Sequence, residues 1–377
     1  MSSVQLTAFF REFANVYGKA LAKPLVHKGE LLSVQRLRGL AVLMVLVVHV
    51  EDIAGKLPGW AGYHSLYSLR IGYSAPDMFF VISGFIMSYI TFNSRFEARR
   101  WLLSRFVRIV PMYVFFTSLV VVLWLYNPAM TMGSGVHDWG SVLKSLLMLP
   151  QAGLPLLFVG WTVEHELVFY ATVFLVARFL PINWLAGVLL LLSSLALLKW
   201  ALQASTGLQF WDFHILSLYM LQFTIGALVY RYWARAEVLG WRLPLLGALL
   251  ALGLGAWLGE SGTINQELPL RVLTFGTAYG LLLLAVLNAE KQQRDAGRMR
   301  ASRDFMVKMG DASYSIYLSH PFVLALFGKL YPFLQPSVAQ ALLLMAVSAL
   351  TVLGVGMLTH VLLEKPIIEV GKRLTKP

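Results

Sequence analysis

Ser33-Val-Gln-Arg-Leu-Arg38-Gly-Leu-Ala-Val-Leu-Met-Val-Leu-Val-Val-His49 is one apolar run with a cation near one end and a titratable ring at the other. Arg38 and His49 lie eleven positions apart. In a helix that is about three turns, so both side chains share a face, about 16 Å apart along the axis. Ionisable groups inside such a segment are costly and by default face a cavity or a partner, which marks this helix as functional. The plainer reading, with Arg38 marking the cytoplasmic helix end and His49 the outer interface, stands beside it.

The rest of the chain places this helix among others like it. Across 377 residues, 58% hydrophobic and 13% charged content with a mean hydropathy of +0.68 exclude a soluble domain and predict an all-α polytopic membrane protein. Cysteine is absent, so no disulfide framework and no thiolate redox or metal site is available. The net charge of +12 does not indicate nucleic acid, because the basic residues sit in short gaps between apolar segments. Windows of about 20 residues predict a bundle of about ten transmembrane helices. They fall near 33–53, 74–93, 106–126, 161–180, 184–202, 211–232, 243–259, 270–289, 311–331 and 338–362. Leu143–Phe158, broken by Pro150, Gly153 and Pro155, is read as an outer re-entrant or interfacial segment. Ten crossings put the basic loops on one side, which predicts that both termini are cytoplasmic. Residues 1–30 lack signal-peptide order. Phe9, Phe10, Phe13 and Tyr17 with Arg11, Lys19 and Lys23 predict an amphipathic helix on the inner leaflet. The expected division is this extension at 1–30, a transmembrane domain at 31–366 and a basic cytoplasmic tail at 367–377.

Four further clusters accompany the first. Ser74-Ala-Pro-Asp77-Met-Phe-Phe-Val-Ile-Ser83-Gly84 places a carboxylate at the outer end of the second span and a small-residue pair within it. There Gly84 allows close helix approach, and Ser83 is read as a packing group, since no nucleophile elbow surrounds it. Arg105 and Arg108 share a helix face ahead of Pro111 and Tyr113, a spacing suited to phosphate oxygens, although an inside-positive anchor has the same pattern. Trp161-Thr-Val-Glu164-His165-Glu166 brings two carboxylates and an imidazole to the outer end of the fourth span. It lacks the second His of H-E-x-x-H, and no metal site is expected. Tyr314, Tyr317 and His320 recur every third residue as a polar stripe, either interhelical glue or the lining of a cavity. Glu364-Lys-Pro closes the last span. His64, His137, His214 and His360 stand alone and are assigned no role.

Taken in order, these clusters resemble the acyltransferase-3 family of integral membrane acyltransferases over about residues 32 to 366. The resemblance implies an O-acyltransferase that moves an acyl group, acetyl by default, from cytoplasmic acyl-CoA to a sugar hydroxyl of an extracytoplasmic or exported polysaccharide. It further implies His49 as the catalytic base, with Asp77 and Glu166 beside it, and Arg38, Arg105 and Arg108 serving the donor. Tyr113, Tyr314 and His320 join the donor set. Glu164 and His165 depart from the family pattern, and Glu166 is chosen as its carboxylate because it keeps the spacing to Trp161 and Phe169-Tyr170. Expected partners are acyl-CoA, a glycan acceptor, membrane lipids and a polysaccharide synthase or export complex, with no nucleic acid. Two other classes fit the same clusters: a transporter or flippase for a glycan or acylated lipid, and a non-catalytic synthase subunit.

Overall fold

The computed structural model describes residues 31–58, 67–93, 96–128, 135, 138–207, 212–259, 266–298 and 303–374. The expected amphipathic extension, His64, His137 and the last three residues of the tail lie outside them. Every regular element among the described residues is helical. The helices are α1 (Leu32–Ala54), α2 (Ala75–Asn93), α3 (Ala98–Tyr126), α4 (Trp139–Leu146), α5 (Trp161–Phe179), α6 (Leu185–Thr206) and α7 (Met220–Ala236), followed by α8 (Arg242–Leu258), α9 (Pro269–Asp295), α10 (Phe305–Asp311), α11 (Ser313–Leu330), α12 (Val338–Thr359) and α13 (Lys365–Leu374).

A helix occupies each of the ten predicted positions. Six stretches are long and apolar enough to cross a membrane, and a seventh follows if α7 and α8, bent by 117° at their junction, count as one span. By length and composition the protein is therefore polytopic with six or seven candidate spans among the described residues. Leu143–Phe158 contains no spanning helix. Its only α-helix, α4, is eight residues long and capped by Asp138, which accepts from Ser141 N at 2.6 Å.

Burial sorts the spans into centre and periphery. Two-thirds of the apolar window is buried in Arg70–Phe92 and Pro269–Asp295, against 22–33% in Ala98–Tyr126, Ile182–Thr206 and Val338–Arg373. Large aliphatic side chains such as Val122, Leu250 and Leu350 are exposed on the peripheral helices, a surface suited to lipid rather than water. At the centre α2 crosses α7 through reciprocal glycines. A Cβ on Gly84 would collide with the Phe223 backbone, and one on Gly226 with that of Val81, so only glycine lets these helices touch.

Helix α1 is anchored from two directions. Ser33 N, an unsatisfied donor of its first turn, meets Glu290 Oε2 of α9 at 2.6 Å. Arg36 Nε donates to Asp304 at 2.8 Å, the residue that also caps α10 by accepting from Val307 N. The backbone of α10 lies directly on α1, because Gly39 and Gly310 present no Cβ to Met306 and Gln35. This contact leads into Ser313 at the start of α11 and so sets α11 beside Arg38.

Candidate active site

Two chambers in the bundle are lined by residues of the sequence motifs, and the first is built around guanidinium groups. It has a volume of about 320 Å³, and Arg38, Arg105, Arg108, Glu166 and Tyr314 all contribute to its wall. Three separate helices, α1, α3 and α5, thus bring the predicted arginines and one predicted carboxylate together, and Tyr314 joins them from α11. Arg38 is tethered at Nη1 to Gln35 Oε1 (3.1 Å) and at Nη2 to Ser313 Oγ (2.9 Å). Arg105 Nη1 rests near the Met87 sulfur at 3.8 Å. Arg108 faces Glu364 at 3.9 Å, and that buried carboxylate also accepts from Ser315 Oγ and pairs with His360 Nδ1, each at 2.7 Å. A single π-turn, His360–Glu364, rotates the end of α12 so that Glu364 reaches inward. His360, assigned no role from the sequence, is thus the partner of a carboxylate beside the arginine chamber.

Glu166 belongs to this chamber too. It accepts from Ser83 Oγ at 2.9 Å and Tyr170 OH at 2.6 Å, so Ser83 is a hydrogen-bond donor in the chamber wall as well as part of a packed helix. Around Ser83, the α2 side chains Phe79, Ile82 and Ile86 add an apolar surface to the lining.

The second chamber, about 650 Å³, is lined by His49 and shares Pro76 and Tyr317 with the first. The two therefore meet back to back across those two residues. His49 Nδ1 lies 3.2 Å from Asp52 Oδ2, and Asp52 also accepts a hydrogen bond from Tyr73 OH. With a carboxylate at Nδ1 the neutral imidazole carries its proton there, which leaves Nε2 as the basic nitrogen. His49 stacks on His320 with ring centroids 5.0 Å apart and meets Phe158 edge-on at 5.8 Å.

His320 takes its orientation from a sequence detail. Pro321 has no N–H and interrupts the helical ladder at the Tyr317 carbonyl, and His320 Nδ1 donates to that oxygen at 2.7 Å. His320 lies in the core behind His49 rather than in the wall of the arginine chamber, where a donor-binding role would need it. Tyr113 departs from expectation likewise: it is fully buried, with its hydroxyl against Gly160, because that glycine leaves room for the ring.

Asp77 does not join His49. Its Oδ1 accepts from Arg271 Nη1 at 2.6 Å and also from Gln222 Nε2, and the side chain is completely buried. A carboxylate removed from water needs a cation and hydrogen bonds, and α9 and α7 supply them. The group beside His49 is Asp52, one turn along the same helix, and Glu166 lines the other chamber. Residues i and i+2 on a helix point about 200° apart, so Glu164 serves the imidazole chamber while Glu166 serves the arginine chamber.

Such a bundle, with guanidinium and imidazole chambers meeting inside it, defines a multi-span membrane protein with a charged interior cleft. A model of the acyltransferase-3 family, described as an acyltransferase domain, matches residues 31–360, and the chain belongs to that family. It is similar to the exopolysaccharide production protein ExoZ of Rhizobium meliloti (strain 1021), with 32% identity over 82% of this chain and 93% of that protein. It is also similar to the acyltransferase MdmB of Streptomyces mycarofaciens, at 26% identity over 90% and 92% of the two chains. No solved structure matches.

Proposed function

We propose that this membrane acyltransferase is an acyl-CoA-dependent O-acyltransferase of the bacterial inner membrane. It transfers an acyl group, acetyl by default, to a sugar hydroxyl of an extracytoplasmic or exported polysaccharide. The observation that carries this reading is the meeting of the two chambers at Pro76 and Tyr317, with guanidinium groups on one side and His49 on the other. Both termini face the cytoplasm in this scheme, and all ten predicted helices cross. Arg38, Arg105 and Arg108 then receive the nucleotide phosphates at the cytoplasmic mouth, where planar guanidinium groups bind phosphate oxygens in pairs. The pantetheine arm passes Tyr317 toward His49.

His49 Nε2 takes the proton of the sugar hydroxyl as the hydroxyl oxygen attacks the thioester carbonyl. The new C–O bond forms, the C–S bond breaks, and the leaving CoA thiolate takes up the proton that His49 accepted, which returns the imidazole to its neutral form. Asp52, at Nδ1, holds the tautomer and stabilises the imidazolium. The similarity to a protein named for exopolysaccharide production supports a glycan acceptor.

The test is incubation of purified protein with acetyl-CoA or succinyl-CoA and candidate glycans, following free thiol and acylated sugar. The expected result is acceptor-dependent thiol release that disappears in His49→Ala. Net movement of glycan across a vesicle membrane without any thiol release would replace this reading with a transporter.

A further inference from the structure

The imidazole chamber holds a second polar group that the transfer step does not use. Glu164 is only 1% exposed, and its oxygens accept from Gln151 N, Gln151 Nε2 and His214 Nε2, each at 3.2 Å. His214 stacks on His165 with centroids 4.0 Å apart. His165 Nδ1 donates to the Trp161 carbonyl at 2.8 Å, so Nε2 is the bare nitrogen of the neutral ring. That atom is buried in the chamber wall and has no hydrogen-bond partner among the described residues.

The wall is rich in acceptors and aromatic faces and also carries donors in Gln151 and Tyr73. It offers hydrogen-bond acceptors in Glu164, Glu267 and His165, together with the faces of Trp161 and Tyr219. No lysine or arginine lines the chamber among the described residues. A neutral sugar matches both features, because its hydroxyls donate to carboxylates and imidazole nitrogen while its C–H face lies on an aromatic ring. An acidic sugar would meet two carboxylates with no lysine or arginine in the wall to compensate. The chamber's 650 Å³ lies in the roughly 300–1,000 Å³ range of small-molecule sites.

We propose that Glu164, His165 and His214 form an acceptor-selecting subsite for a neutral hexose residue, which presents its hydroxyl to His49 in the same chamber. The presentation to His49 rests on the acyltransferase reading above, whereas the sugar binding does not.

Titration calorimetry on the purified full-length protein in nanodiscs, without acyl-CoA, tests it with three probes: cellotetraose, β-1,4-galactotetraose and tetragalacturonate. At least one neutral probe binds, and tetragalacturonate does not. Glu164→Gln and His214→Gln weaken the neutral probe about tenfold, the scale of one hydrogen bond to a charged group. Gly153→Trp blocks the same chamber by bulk alone, at a rim position where a Cβ meets no atom within 4 Å, and so guards against misfolding of the polar variants. In turnover, Glu164→Gln raises the acceptor KM and leaves kcat and the donor KM unchanged. Failure of both neutral probes to bind, tighter binding of tetragalacturonate, or full affinity in both Glu164→Gln and Gly153→Trp would overturn the subsite. Glycan binding with no thiol release from any acyl-CoA would leave it standing and remove the catalytic reading instead.

Discussion

The two chambers differ in how the groups proposed to bind the donor and to act as base are held. In the arginine chamber each guanidinium is met by groups from elsewhere in the chain: Arg38 by Ser313, Arg105 by Met87 and Arg108 by Glu364. In the imidazole chamber His49 and Asp52 belong to one helical turn, and neighbouring rings hold them from the sides. A binding site for a large anion has to be assembled from several helices so that its cations surround the ligand. A base needs one local partner to select its tautomer. Losses in the first chamber should therefore appear in donor affinity, and losses in the second in turnover.

The sharpest test of that division is His49→Ala. Acyl transfer is expected to fall by about 10²–10⁴-fold, while acetyl-CoA titration gives an unchanged affinity. Substantial turnover by a well-folded His49→Ala variant would take His49 out of the chemistry. Arg38→Ala and Arg105→Ala should show the opposite pattern, a donor KM about ten- to a hundredfold higher from the loss of a charge-assisted hydrogen bond, with kcat at saturating donor little changed. A kcat loss without a KM change in either arginine variant would erase the distinction between the chambers.

Asp52→Asn should lower kcat about tenfold, less than a buried orienting carboxylate would, because the Asp52 side chain is 45% exposed and its charge is screened. Both KM values stay near wild type, and a pH–rate profile locates the change in the base. The smallest effect is expected of Glu364→Gln. The Arg108 contact is long at 3.9 Å and Gln keeps an oxygen for Ser315 Oγ, so the donor KM should rise only about threefold. A large kcat loss there would join Glu364 to the reaction itself.

Local pattern accounts for what could be read from the chain. Each of the ten predicted span positions carries a helix, since a run of apolar residues in lipid must satisfy its backbone internally. Only six or seven stretches among the described residues, however, are long and apolar enough to cross. The arginines found their chamber because Arg105 and Arg108 share a face and Arg38 sits near the start of α1. The short, broken segment before Trp161 has no spanning helix, as Pro150, Gly153 and Pro155 predict. Asp77 and Glu166 were misplaced beside His49 because proximity to the same membrane end is not contact. Asp52, three residues from His49, could have been found from the i,i+3 rule alone. Arg271 could not: it lies 194 positions from Asp77, and nothing local links them. The same holds for His214, which meets Glu164 across 50 positions.

By itself the amino-acid sequence determined the class of protein, the helices and the ionisable residues they carry, because hydropathy and helical spacing act within one segment. Only the tertiary structure decided which carboxylate serves which cation, that Glu164 and Glu166 face different chambers, and that the chambers meet at Pro76 and Tyr317. The physical reason is that a buried charge takes the partner that helix packing brings to it, and that packing turns on close approaches such as Gly84 on Phe223 and Gly310 on Gln35.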